Sequence, residues 1–95
     1  DMAMQIELAR QMVAHAHKLY ELGLPYGKEA AMAKCYAGDM AVQVTLDGIQ
    51  LFGGYGYSRE YPVEKLLRDA KIFQIFEGSN EIQRVVIANH ILGKF

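Results

Sequence analysis

The chain has 95 residues, 52% hydrophobic and 22% charged, with ten basic and eleven acidic side chains and a formal charge of −1. This is the composition of a folded domain, and the length admits one domain, which at this size buries only about 60 to 65% of its unfolded surface, so a covering partner is plausible on size alone. Neither sign of charge forms a sustained run and no stretch approaches the roughly 18 consecutive apolar residues of a membrane-spanning helix, so neither a nucleic-acid partner nor a membrane span is indicated.

The opening DMAMQIELAR has no basic segment followed by an apolar one and enters helical pattern at once, as if inside a longer helical protein. Met2, Ile6, Ala9, Val13, Ala16 and Tyr20 recur at steps of four and three, which predicts a helix. Leu8, Met12, His15, Leu19 and Leu22 form a second series on another side, so this helix calls for two neighbours. Gly23 and Pro25 end it, the first by tolerating a left-handed backbone and the second by lacking an N–H.

A second helix is expected from about Lys28 to Leu51, with Ala31, Cys35, Gly38, Val42, Thr45, Ile49 and Phe52 on one stripe. Gly38 in mid-helix costs on the order of 1 kcal/mol against alanine, which a tight crossing would explain. LFGGYGYSREYP follows, and Pro62 suits the first position of a short third helix carrying Val63, Leu66, Leu67 and Ala70. The pattern decays through KIFQIF. A fourth helix is expected from about Asn80, where Asn80 and Gln83 have capping-box spacing, through Val85, Val86, Ile87 and Ile91 to the chain end. No segment reads as a strand, and the expected fold is an all-α, up-and-down bundle of about four helices.

Few residues carry chemistry on their own. Gly53, Gly54 and Gly56 do not form GxGxxG and follow a helix rather than a strand, so a dinucleotide fingerprint fails and a helix-capping glycine turn accounts for them. His15 and His17 lie on different helix faces and His90 has no nearby partner, which gives no metal site and no Ser-His-Asp arrangement. Cys35, the only cysteine, reads as a small buried thiol and fits a reducing compartment. Glu77 has two readings. Ile75 and Phe76 are placed to desolvate it and Gly78 admits a ligand to the backbone, as a proton-abstracting base requires. The positive end of the following helix acts the other way on its charge, and a solvated glutamate before a helix is the plain alternative.

The series IQLFGGYGY followed by EYPVEKLLRDAKIFQIFEGSNEIQR resembles the C-terminal region of the acyl-CoA dehydrogenase family, and DMAMQIELAR with KEAAMAKCYAGDMA is similar to the helices preceding it. The resemblance covers nearly the whole chain and implies one partial helical-bundle domain, residues 1–95, of a longer polypeptide whose N-terminal helical and middle β domains are not in this sequence. It implies FAD-dependent α,β-dehydrogenation of acyl-CoA thioesters to enoyl-CoA, with Glu77 taking the α-proton while a hydride passes to flavin N5. Phe76 and Gly78 would lie against the substrate, and Ser79, Asn80 and Glu81 against the flavin. Gln50, Leu51, Phe52, Gly53 and Gly54 match the segment that contacts FAD, typically the adenosine diphosphate part of a cofactor held by a neighbouring subunit. The family commonly has tyrosine and threonine where this chain has Phe76 and Ser79, which alters contacts without altering the reaction. Some members carry the base on another helix, but a glutamate at 77 argues against that here.

The implied partners are an acyl-CoA substrate, an electron-transfer flavoprotein and further copies in a homotetramer, in the mitochondrial matrix or bacterial cytoplasm. The isolated chain is expected to be inert. Two rivals remain at this stage: a helical module that only associates through its apolar faces, and a flavin oxidase that passes electrons to oxygen.

Overall fold

The computed structural model describes residues 1–93 and contains four α-helices and no strand among them: α1 Met2–Glu21, α2 Gly27–Phe52, α3 Val63–Lys71 and α4 Asn80–Leu92. Short 3-10 segments follow α2 at Gly53–Tyr57 and α3 at Ile72–Gln74, the second falling where the periodicity decays. Helix α2 is the axis of the fold. Helices α1, α3 and α4 each pack on it, with no comparable contact among the three.

Local chemistry sets the boundaries. After α1, Gly23 adopts φ 70°, Leu24 N–H reaches Leu19 O at 3.0 Å and Gly23 N–H reaches Tyr20 O at 3.1 Å, the paired bonds of a Schellman termination. Pro62 sits one position earlier than expected, capping α3 instead of opening it, with its carbonyl accepting from Leu66 N–H at 3.3 Å. The cap of α4 also differs from the expectation. Ser79, not Asn80, is the N-cap, and its hydroxyl accepts from Ile82 N–H at 3.3 Å. Asn80 points the other way and is buried. Gly93, at φ 85°, ends α4 after Leu92, short of the expected chain end, and residues 94 and 95 lie outside the described part.

The buried apolar side chains are small: Ala9, Ala16, Ala31, Ala33, Cys35 and Ala70. Many large ones stay at the surface, with Leu8 59%, Leu51 72% and Leu92 72% exposed. Helix α1 packs on α2 through Ala9 and Ala16, and its second apolar series borders open recesses, Leu8 and Met12 beside Met32, Tyr36 and Ile87, and His15 and Leu19 beside Pro25 and His90. The accessible surface is 6854 Å², against roughly 5,500 Å² for a compact monomer of this mass. The radius of gyration is 15.6 Å, where a compact domain of this length has about 12 Å. The chain is a slab of 47 × 27 × 19 Å with apolar faces left open.

Close approach to α2 is set by Gly38. A Cβ there would meet the Phe73 carbonyl oxygen at 2.7 Å and Asn80 Nδ2 at 3.1 Å, so the expected tight contact exists, made by the 3-10 segment and the start of α4 rather than by a crossing helix. Asp39 lies beside it. Its Oδ1 accepts from Asn80 Nδ2 at 2.7 Å and Gln74 Nε2 at 3.0 Å, and its Oδ2 pairs with Arg84 Nη2 at 2.5 Å. Burial pushes the Asp39 carboxyl up, but the three hydrogen bonds and the Arg84 charge outweigh it and hold the group below the ordinary aspartate range.

A carboxyl with a depressed folded-state pKa stabilises the fold above its unfolded value, about 3.9, and loses that contribution as pH falls through the lower folded value. Full-length Asp39→Asn protein should therefore lose less unfolding midpoint than wild type on acidification from about pH 5 to pH 3. Thermal or urea melts across that window check it. Parallel losses would show that the Asp39 cluster does not contribute to acid sensitivity.

Candidate functional site

Between Ile75 and Asn80 the backbone does something no other non-glycine segment of the described chain does. Glu77 has φ 57° and Gly78 has φ 79°, so two consecutive residues are left-handed and only the second is free of a Cβ penalty. For Glu77 this conformation costs roughly 1 to 2 kcal/mol and persists only where surrounding contacts over-determine it.

Those contacts come from two helices. Gln83 on α4 donates from Nε2 to the Glu77 carbonyl oxygen at 2.8 Å. Lys34 on α2 donates from Nζ to the Gly78 carbonyl oxygen at 2.8 Å and to Asn80 Oδ1 at 2.6 Å. Asn80, only 2% exposed, donates from Nδ2 to the Cys35 carbonyl oxygen at 3.1 Å as well as to Asp39. Its side chain is thus committed to α2 through both amide ends. Cys35 Sγ lies 3.8 Å from the Asn80 carbonyl oxygen, and burial pushes the thiol up, so it is the packed, unreactive cysteine expected from sequence.

The Glu77 carboxylate itself takes no hydrogen bond or ion pair from another described residue, and Glu77 is exposed. The apolar enclosure expected from its neighbours is not built by this chain: Ile75 is 55% and Phe76 43% exposed, both turned to open surface. Beside them, Lys34, Ala37, Gly38, Ala41, Phe73 and Phe76 line an open apolar recess of about 290 Å³. The arrangement therefore presents a carboxylate from a rigid turn, at the positive end of α4, with apolar surface on one side.

The glycine segment lies elsewhere. Gly53 caps α2 with φ 63°, its N–H on the Gln50 carbonyl, which is the capping turn expected from sequence. Gly56 is buried, since a Cβ there would meet the Ile49 carbonyl oxygen at 2.5 Å. Gly54 has neither reason: its φ is ordinary and a Cβ would meet nothing within 4 Å. Leu51, Phe52, Gly53 and Gly54 are all exposed, as is Gln50. Gly53 follows Asp39 by fourteen residues, about 20 Å along a helix, so this segment and Ser79, Asn80 and Glu81 are not brought together.

Lys34, Asp39, Gln83 and Arg84 were not among the site residues expected from sequence. The available signal was their spacing, Lys34, Gly38 and Asp39 along one edge of α2 and Asn80, Gln83 and Arg84 at steps of three and one on α4. Among the described residues no group of three His, Cys, Asp or Glu side chains is gathered as for a metal, and no helix is long and apolar enough to cross a membrane.

A family profile described as the C-terminal domain of acyl-CoA dehydrogenase matches residues 1–92. An acyl-CoA dehydrogenase of Bacillus subtilis is 57% identical over 98% of this chain and 24% of its own length. The structure of butyryl-CoA dehydrogenase from Megasphaera elsdenii superposes with a TM-score of 0.93 at 51% identity, covering 97% of this chain and 24% of that one. A chain from the electron transferring flavoprotein structure of Acidaminococcus fermentans gives 0.94 at 51% identity, over 99% and 25%. An FAD complex of PigA gives 0.92 at 31% identity, over 96% and 24%. The chain thus spans about a quarter of the length of the relatives it matches. With nearly every described residue inside the matched region and the four-helix arrangement reproduced in those structures, the chain belongs to the acyl-CoA dehydrogenase family and corresponds to its C-terminal helical domain.

Proposed function

We propose that the full-length protein is an FAD-dependent acyl-CoA dehydrogenase in which Glu77 removes the α-proton of a saturated acyl-CoA thioester, giving the trans-2-enoyl product. The observation that carries this reading is the left-handed Glu77, in a turn anchored at the Glu77 and Gly78 carbonyls, with its carboxylate unengaged. Strain held at a single ionisable residue is what a positioned base requires, and a surface glutamate has no use for it.

An α-proton beside a thioester is weakly acidic, so its removal needs a base fixed in line with the C–H bond and kept from water. The turn supplies the fixing. Phe76 and the bare backbone of Gly78 flank the acyl chain and thioester, and the enclosure that this chain leaves open comes from the remainder of the subunit. The residues present fit FAD at both places assigned to it: Gly54 offers backbone with no side chain in the way, flanked by exposed Gln50, Leu51, Phe52 and Gly53. Ser79 and Glu81 stand at the N-terminus of α4, with Asn80 acting from beneath as the anchor of that turn. Bound FAD would supply the hydride acceptor for the β-carbon.

The open apolar faces support assembly with the rest of the subunit and with further copies, in the tetramer the family resemblance implies. Reoxidation by an electron-transfer flavoprotein fits the Acidaminococcus relative's description. The bacterial relative supports a bacterial cytoplasm over a mitochondrial matrix. A full-length protein without flavin would favour the purely associative rival, and peroxide release on turnover the oxidase.

Glu77→Gln in the full-length protein should keep FAD and bind acyl-CoA while flavin reduction falls by at least about 10² to 10⁴, since an amide of equal size cannot accept the proton. Stopped-flow bleaching with saturated thioesters from butyryl-CoA to palmitoyl-CoA measures the step. Reduction within a few-fold of wild type would make Glu77 an ordinary turn residue. Separately, Gly54→Val should fold normally, because its Cβ meets nothing in this chain, yet bind FAD more weakly than wild type, and Gln50→Ala should do the same. FAD titration of the apoprotein decides this, and unchanged affinity in both would leave the glycines as a capping turn alone.

A further inference from the structure

We infer that Lys34 and Gln83 are positioning residues for Glu77: by donating to the carbonyl oxygens of Gly78 and Glu77 they hold the left-handed pair that aims the carboxylate. The inference rests on the reading of Glu77 as base and adds how the base is aimed.

Three observations carry it. The two carbonyls that define the turn are each taken by a side chain at 2.8 Å, one from α2 and one from α4, so the turn is pinned from two directions. Lys34 comes from 44 residues away, and its second bond, to Asn80 Oδ1 at 2.6 Å, ties the turn to the one polar side chain buried in the described chain. Glu77 is also the one non-glycine residue with positive φ among the described residues, so without the two donors its relaxation to negative φ would rotate the Cα–Cβ bond away from its present direction. The direction of that bond decides where the carboxylate reaches, and a displacement of about 1 Å in a reacting group costs roughly 100-fold in rate. Gly78 contributes the second left-handed residue, and a Cβ on it would meet Gln83 Nε2 at 2.9 Å, so the amide of Gln83 also occupies the space beside the turn. Charge is not the main function of Lys34 here, since both of its bonds go to neutral oxygens.

The test uses full-length, flavin-loaded protein and the thioester of the butyryl-CoA to palmitoyl-CoA series that wild type reduces with fastest. Lys34→Met keeps the length of the side chain and removes its donors; Gln83→Met does the same for the amide. Each should slow flavin reduction roughly 10- to 100-fold while FAD content and the dissociation constant of the thioester stay within about three-fold of wild type. In a Glu77→Gln background neither should slow reduction further, because a residue that acts through Glu77 has nothing left to aim. If Lys34→Met does not accumulate as folded protein, Gln83→Met, which removes one bond at a half-exposed site, carries the same test.

Wild-type reduction rates in both single variants, with Glu77→Gln inactive, would overturn the positioning role and leave the base in place. Further slowing in the Glu77→Gln background would also overturn it, by showing that the two residues act on something else. An active Glu77→Gln protein would remove the base itself and the positioning role with it.

Discussion

The geometry around the turn depends on one buried amide. Asn80 opens α4, is 2% exposed, and spends its side chain on α2: two donations, to the Cys35 carbonyl and Asp39, and one acceptance from Lys34. A buried amide left unpaired would cost about 1 to 3 kcal/mol, so these partners are obligatory once Asn80 is inside. They also fix the angle and height at which α4 meets α2. Gly38 permits the approach by leaving room for Asn80 Nδ2 and the Phe73 backbone, and Asp39 completes it by gathering Gln74 and Arg84 as well. The turn that presents Glu77 is the path the chain takes from the end of α3, through the 3-10 segment, to the start of α4 held there.

That construction suits a chain with so little core of its own. Its fully buried apolar residues are alanines and one cysteine, and many of its large side chains face outward. Apolar burial in such a slab cannot hold a strained residue in place, because the packing is one helix deep on either side of α2. Directional hydrogen bonds do so instead. This segment fixes where the carboxylate stands, while the apolar surface beside Glu77 stays open.

Much of the fold was legible. Period-four-and-three apolar series mark α1 and α2, shorter apolar clusters mark α3 and α4, and Gly23, Pro25 and the glycine cluster mark the breaks, since helix propagation and termination are local matters. Glu77 could be singled out as a candidate, but its left-handed backbone could not, because a non-glycine at positive φ has no sequence mark. The cap of α4 went to Ser79 because Asn80 had a stronger claim on it from α2, a tertiary contact across 41 residues that no local spacing encodes. The same applies to Lys34, which reads as an ordinary helical lysine until α4 is in place. Gly54 is singled out by the family resemblance alone, and in the structure neither backbone conformation nor crowding accounts for it as they do for Gly53 and Gly56.

Hydrogen exchange on full-length Asn80→Ala protein, followed over residues 77–83, tests most directly whether the buried amide holds the turn. With the Asn80 anchor gone, those amides should exchange about ten-fold faster or more, while amides of α1, to which the cluster makes no hydrogen bond, keep their protection. Unchanged exchange across residues 77–83 would contradict the account, for it would mean that the left-handed Glu77 is held without Asn80.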